Sequence, residues 1–446
     1  MNTWYEKAVF YHIYPLGMTG APKYNSSQET ADRFGELEKW IPHIRSLNCS
    51  AIYIGPLFES ATHGYDTTDF RLVDRRLGSN EDFRRFTALC HENGIRVVVD
   101  GVFNHTGRGF FAFRDLQQNG SSSAFRDWYR GISFDQGSSL GDSFRYECWH
   151  GIQELPCLNL FHPQVKEYLL DTVRFWVQEF DIDGIRLDCA NVLDFQFMKE
   201  LRGLANQVKE DFWLMGEVIH GEYARWVNPD MLHSVTNYEL HKSIYSAHND
   251  HNYFELAHNV RRLEAVGRSL YTFVDNHDED RIASKLREKA HLRPLYCLLY
   301  TLPGIPSLYY GSEWGIEGHR SSTSDEVLRP AIPASEIEAR ETDLTALLRR
   351  LGEIHQTEEA LHGGRYQELL LTNRQYAFAR FGTGYAVITA ANTDEGPAAI
   401  SFSLPFPVST LQAADLLSGR TFSIEQNKIQ IELEGNSAVI LRIAEE

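Results

Sequence analysis

Short apolar runs that end in polar or charged residues recur along the chain, with stretches of helical periodicity between them. The runs fall at residues 8–14, 51–54, 96–100, 184–188, 212–217, 234–236, 270–275 and 307–310. Residues 165–180 and 343–355 lie between or after them, and the latter stretch places Leu344, Leu347, Leu348 and Leu351 at helical spacing. Strands that alternate with helices indicate a parallel sheet. Eight such strands over this length favour a closed barrel over an open sheet.

Two regions break the rhythm. Residues 106–159 are rich in turn signals, including Asn119-Gly120-Ser121-Ser122-Ser123 and Gly137-Ser138-Ser139. That is too long for a plain strand-to-helix loop and predicts a small inserted domain over the top of the barrel. From about Arg365 the period changes to two: Ile400, Phe402 and Leu404 alternate with Ser401 and Ser403, and Ile429, Ile431 and Leu433 with Gln430 and Glu432. This pattern predicts an antiparallel β-domain. The expected α/β architecture is therefore a (β/α)8 TIM barrel with an inserted small domain after strand 3 and a C-terminal antiparallel β-domain. The barrel takes residues 1–105 and 160–362, the insert 106–159, and a β-sandwich 363–446.

Composition narrows the partners. With 43 Lys and Arg against 61 Asp and Glu, the net charge of −18 argues against nucleic acid, which needs a basic footprint. The chain carries 26 Phe, 21 Tyr and 8 Trp; most such rings fill cores, while sugar clefts use aromatic faces. Its six cysteines show no C-x-x-C pair and no zinc spacing, so free thiols in a reducing compartment are expected. The N-terminus, Met1-Asn2-Thr3-Trp4-Tyr5-Glu6-Lys7, lacks the order of a signal peptide. No apolar run approaches the roughly 20 residues that span a bilayer. The expectation is a cytoplasmic protein with no membrane partner.

In such a barrel the chemistry sits at the C-terminal ends of the strands. Those ends carry Asp100 with Asn104 and His105, then Arg186 and Asp188, then Glu217, then Asp275, Asn276, His277 and Asp278. Two chemistries compete for such a set. A metal-assisted hydrolase needs clustered ligands, but no H-x-H pair ends the first strand and no H-E-x-x-H helix occurs. The other chemistry is glycosidic cleavage with retention, which needs two carboxylates about 5–5.5 Å apart.

Here a resemblance becomes specific. Asp100-Gly101-Val102-Phe103-Asn104-His105 resembles the D-x-x-x-N-H motif of the α-amylase family, glycoside hydrolase family 13. Gly184-Ile185-Arg186-Leu187-Asp188 resembles its G-x-R-x-D motif, Gly216-Glu217-Val218 its acid-bearing strand, and Phe273-Val274-Asp275-Asn276-His277-Asp278 its last motif. The resemblance implies Asp188 as nucleophile, Glu217 as general acid/base and Asp278 as the third carboxylate. It also implies Tyr65, His105, Arg186 and His277 as substrate-binding residues. Arg186 shares a strand face with Asp188, and negative neighbours raise the pKa of Glu217.

Leu155-Pro156-Cys157-Leu158-Asn159 and Asp188-Cys189-Ala190-Asn191 are similar to stretches of the neopullulanase and cyclomaltodextrinase branch. Cys157 stands where calcium-binding relatives carry Asp, and calcium wants hard oxygen ligands. The expectation is therefore that no metal or cofactor is required, with bound calcium disfavoured. Val192 stands where that branch carries Glu, and Ile219 where it carries Trp. The chain is also expected to lack the N-terminal β-domain through which those enzymes dimerise, so the oligomeric state stays open. The implied activity is retaining hydrolysis of α-1,4-glucosidic bonds in maltodextrins, cyclodextrins or related α-glucan oligosaccharides. Transglycosylation on the same substrates is an alternative that the residues leave open. A non-catalytic glycan-binding relative is disfavoured, because all three carboxylates are kept.

Overall fold

The computed structural model describes residues 3–27, 29–321, 324–408 and 410–446. Met1 and Asn2, the first two residues of the N-terminal stretch expected to be no signal peptide, lie outside the described residues. Each apolar run forms a strand: β1 (Phe10–Ile13), β2 (Ala51–Ile54), β3 (Arg96–Gly101), β4 (Gly184–Leu187), β5 (Trp213–Gly216), β6 (Ser234–Val235), β7 (Tyr271–Thr272) and β8 (Ile305–Tyr309). They pair in parallel in the order β6-β5-β4-β3-β2-β1-β8-β7. A parallel bridge from Thr236 to Tyr271 joins the two ends of that order. The Asn237 N–H donates to the Tyr271 carbonyl at 2.8 Å there and completes the ring.

Both faces of the strands are buried, which is why they read as continuous apolar runs. Phe10, Ala51, Tyr53, Val98, Trp213, Met215, Tyr271 and Ile305 fill the barrel interior as one cluster. Their neighbours Tyr11, Ile52, Val97, Val99, Ile185 and Leu214 face outward into the layer of helices. The helix Pro163–Phe180 starts on a proline and buries Val165, Leu169, Val173, Trp176 and Phe180 against that layer. The helix Asp343–Thr357 starts at a capping box between Thr342 and Thr345 and buries Leu347, Leu348 and Leu351.

The segment between β3 and Pro163 holds the helix Phe111–Asn119 and several single turns, joined by isolated bridges such as His105 to Cys157 and Tyr129 to Leu158. An antiparallel hairpin of Phe58–Ser60 and Thr67–Val73 follows β2. The C-terminal region forms β9 (Tyr366–Leu371), β10 (Gln375–Phe381), β11 (Tyr385–Asn392), β12 (Ala398–Ser403), β13 (Gln412–Asp415), β14 (Thr421–Glu425), β15 (Lys428–Leu433) and β16 (Ser437–Ala444). These are antiparallel, in the order β9-β10-β11-β16-β13-β14-β15-β12. The period-two residues meet in register, Ile400 with Ile431 and Phe402 with Ile429, over a core of their own. Buried Arg380 ties this sheet to the barrel by donating to the carbonyls of Thr301 at 3.0 Å and Leu361 at 3.1 Å.

Candidate active site

The strand ladder runs one residue past the named ends of β4 and β5 and thereby sets the first two carboxylates on the rim. The Asp188 N–H donates to the Gly101 carbonyl at 3.1 Å, and the Glu217 N–H to the Leu187 carbonyl at 2.9 Å. Arg186 lies opposite Asp100 in the β3–β4 register. Its side chain points into the barrel mouth, where one guanidinium serves three acids. Nη1 donates to Asp100 Oδ1 at 2.9 Å and to Asp188 Oδ1 at 2.8 Å, and Nη2 lies 2.9 Å from Glu217 Oε1. The Tyr53 hydroxyl completes the set by donating to Asp100 Oδ2 at 2.9 Å.

Cys189, directly after Asp188, adopts the left-handed conformation with φ 51°. Its N–H donates to Glu217 Oε2 at 3.1 Å and its Sγ lies 3.0 Å from Asp188 Oδ2. Oxygens of Asp188 and Glu217, together with that sulfur, lie within 4.8 Å of one another.

Asp278 comes from the loop after β7, which Asn276 folds by accepting the N–H groups of Asp278 at 2.9 Å and Glu279 at 3.0 Å. His277 Nε2 lies 3.0 Å from Asp278 Oδ2, and Arg329 Nη2 donates to Oδ1 at 2.7 Å. The Tyr65 hydroxyl bonds His277 Nε2, and the two rings lie nearly parallel at 5.7 Å. Gly64 precedes Tyr65 at φ +94°, where a Cβ would meet Pro56 Cγ at 2.7 Å, so the loop can present Tyr65 only through glycine. His105 Nε2 bonds the Tyr65 carbonyl at 3.1 Å, and its ring stacks on Trp149 at 6.1 Å. All the residues singled out as catalytic or substrate-binding therefore fall into two adjoining networks. One is Arg186 with Asp188 and Glu217, and the other is Asp278 with His277, Tyr65 and His105.

The electrostatics of the two networks differ. Burial pushes the Glu217 carboxyl up, and the charges of Asp188 and Asp278 add to this against the pull of Arg186, so that it reaches about 7. The negative neighbours contribute as expected from the sequence, and burial is the larger cause. Asp278 moves the other way. Burial opposes it, but His277 and then Arg329 hold its carboxyl well below the usual carboxylate range. Burial also pushes Asp100 up, with Arg186 opposing, and lowers His105, which favours its neutral form.

Several residues at the site carried no sequence signal of their own, among them Arg329, Tyr53, Trp149 and the side chain of Cys189. Asp275, one of the polar strand-end residues, turns away from the cleft. Its Oδ2 accepts from Ser312 Oγ at 2.7 Å and the Ile282 N–H at 2.9 Å and holds the loops together. Val192 and Ile219 keep 42% of their surface on the loops that follow the two carboxylates of the first network.

Among the described residues the one group with metal-ligand spacing is Asp188, Cys189 and Glu217. It does not fit a cation, because the Arg186 guanidinium already occupies one oxygen of each carboxylate and burial pushes the thiol far above its ordinary value. At Cys157, where calcium-binding relatives carry Asp, the sulfur lies 4.0 Å from the Asn104 amide nitrogen, which also bonds His105 Nδ1 at 3.2 Å, and a thiol is no hard oxygen ligand.

A closed parallel barrel with two carboxylates converging at its C-terminal rim is an arrangement that glycosidases use. The catalytic-domain model of the α-amylase family matches residues 24–344, and the chain belongs to that family. It is 31% identical to a cyclomaltodextrinase from a Bacillus species, over 88% of this chain and 74% of the relative. It is 29% identical to the intracellular maltogenic amylase of Bacillus subtilis, over 80% of this chain and 63% of that one. The ligand-free cyclic α-maltosyl-(1→6)-maltose hydrolase of Arthrobacter globiformis superposes with a TM-score of 0.84 at 25% identity, covering 99% of this chain and 100% of that one. Among the described residues no helix is long and apolar enough to cross a membrane.

Proposed function

We propose that this α-amylase-family glycosidase hydrolyses α-1,4-glucosidic bonds in maltodextrins and cyclodextrins with retention, through a covalent glycosyl-enzyme and without a metal. One observation carries the stereochemistry: oxygens of Asp188 and Glu217 lie within 4.8 Å. That closeness favours the retaining arrangement, in which the two carboxyl groups lie about 5–5.5 Å apart, over an inverting one, in which they lie about 6.5–9.5 Å apart.

Asp188 attacks the anomeric carbon from one side while Glu217, which holds a proton near neutral pH, delivers it to the departing glycosidic oxygen. Forming the ester removes the negative charge of Asp188, one of the influences that hold the Glu217 carboxyl up. Glu217 then acidifies and is ready to take a proton from the incoming water. Asp278, ionised throughout, binds ring hydroxyls as charge develops on the sugar. Tyr65 offers a ring face for the sugar.

The net negative charge suits a neutral oligosaccharide, and the names of the relatives support maltodextrin and cyclodextrin substrates. A cytoplasmic location is supported by six unpaired cysteines and by the relative described as intracellular. The test is sugar release from maltotriose, cyclodextrin, pullulan and soluble starch, with the fresh anomer read by NMR. The α-anomer is expected, and the β-anomer, or no cleavage of any α-glucan, overturns the reading. Rates unchanged by a chelator are expected. Chains longer than the substrate at high maltotriose would mean that a sugar hydroxyl competes with water.

A further inference from the structure

Cys189 touches both members of the catalytic pair. Its backbone N–H is spent on Glu217 Oε2 at 3.1 Å, and its sulfur sits 3.0 Å from Asp188 Oδ2. The other oxygen of Asp188 takes the charge-assisted bond from Arg186 at 2.8 Å. A residue with a side chain at φ 51° sits in a region that costs free energy unless the surroundings hold it there. Here the two contacts do so.

We propose that Cys189 is a positioning residue of the nucleophile: its S–H donates to Asp188 Oδ2 and presents that oxygen as the one that attacks. This rests on the retaining reading with Asp188 as nucleophile. The direction of the bond is fixed, because an ionised carboxylate only accepts. Burial and the charges of Asp188 and Glu217 keep the thiol protonated. The two donors to Asp188 differ in strength. The guanidinium bond to Oδ1 is strong and fixes the carboxylate, whereas S–H is a weak donor that orients Oδ2 and leaves it basic.

In the first step the Oδ2–C1 bond forms, the C1–O glycosidic bond breaks, and the Glu217 proton goes to the leaving oxygen. The thiol proton stays on sulfur. In the second step water attacks C1, Glu217 takes its proton, and the electron pair of the C1–Oδ2 bond returns to Oδ2. The thiol donates to Oδ2 again as its charge reappears.

Two substitutions test this, Cys189→Ala, which removes the donor, and Cys189→Ser, which strengthens it. Both keep the same Cβ and add no backbone strain. The readout is the acidic limb of the kcat/KM profile on maltotriose, which follows the carboxylates that must be charged in the free enzyme, the nucleophile among them. A bond to the charged form lowers a pKa. The limb should therefore move up by about 0.4 pH units in Cys189→Ala and down in Cys189→Ser. The value of kcat/KM should fall about threefold in each, with KM little changed. A structural role for Cys189 would not move the two limbs in opposite directions. Limbs that stay in place, or move the same way, overturn the thiol assignment while a retained anomer leaves the proposed function standing. An inverted anomer from the unsubstituted enzyme overturns both.

Discussion

Glu217 and Asp278 line one cleft and carry the same functional group, yet their surroundings push them in opposite directions. On the β4–β5 side one guanidinium is divided among Asp100, Asp188 and Glu217. On the β7–β8 side Asp278 has both His277 and Arg329. Exposure separates them as well, since the Glu217 side chain keeps 12% of its surface and that of Asp278 35%. Where one guanidinium is shared and water is excluded, a proton stays on the site; where Arg329 and His277 both face a more open carboxylate, it leaves. A shortage of partners thus raises the Glu217 carboxyl, and a surplus lowers that of Asp278.

The largest effect should come from the pair proposed to react. Asp188→Ala and Glu217→Gln should each lower kcat on maltotriose about 1,000-fold or more while circular dichroism stays native; near-normal rates from either would end the role assigned to it. Arg186→Met attacks the shortage itself. It leaves buried Asp100, Asp188 and Glu217 with no cation, and removing one partner of a buried charge network costs about 3–5 kcal/mol. Denaturant melts at neutral pH should show that loss, with partial recovery at low pH where the carboxyls take up protons. Unchanged melts would mean that the three acids are satisfied some other way. Arg329→Met attacks the surplus. Losing a charge-assisted bond to Asp278 should lower kcat/KM about 10–100-fold. The sign of the pH effect is fixed too. The folded-state value of Asp278 is depressed, so its stabilising contribution is present above the ordinary carboxylate range and lost as pH falls. Arg329→Met should therefore be less stable than the unsubstituted protein at neutral pH and approach it in acid.

The legible and illegible parts of the site divide along the same line. Asp188, Glu217 and Asp278 stand at or just beyond strand ends, where an apolar run gives way to charge, so a single sequence marks them. Arg186 could be placed on the face of Asp188 because both belong to one strand with period two. Its reach to Asp100 and Glu217 depends on how β3, β4 and β5 pair, which appears only once the ring is assembled. Arg329 lies 51 residues beyond Asp278 in a loop without periodicity, and nothing local marks it. The fold shows the same split. The eight barrel strands and the alternating strands around Ile400 and Ile431 were readable from their patterns. The hairpin at Phe58–Ser60, three residues of mixed character, was not, although it frames the turn that delivers Tyr65.

The smallest change expected is in pH dependence, and it bears most directly on the contrast between the two carboxylates. With Glu217 at about 7, kcat/KM for maltotriose should be lost as pH rises through that value, because only the protonated acid can protonate the leaving oxygen. Maltosyl fluoride departs without needing a proton, so its kcat/KM, which reports the first step, should show no such basic limb. The acidic limb, belonging to the carboxylates that must be charged, should be common to both substrates. A basic limb near 7 that persists with the fluoride would assign the titration to a group other than the proton donor. The raised carboxyl of Glu217 would then be a consequence of burial without a part in the first step.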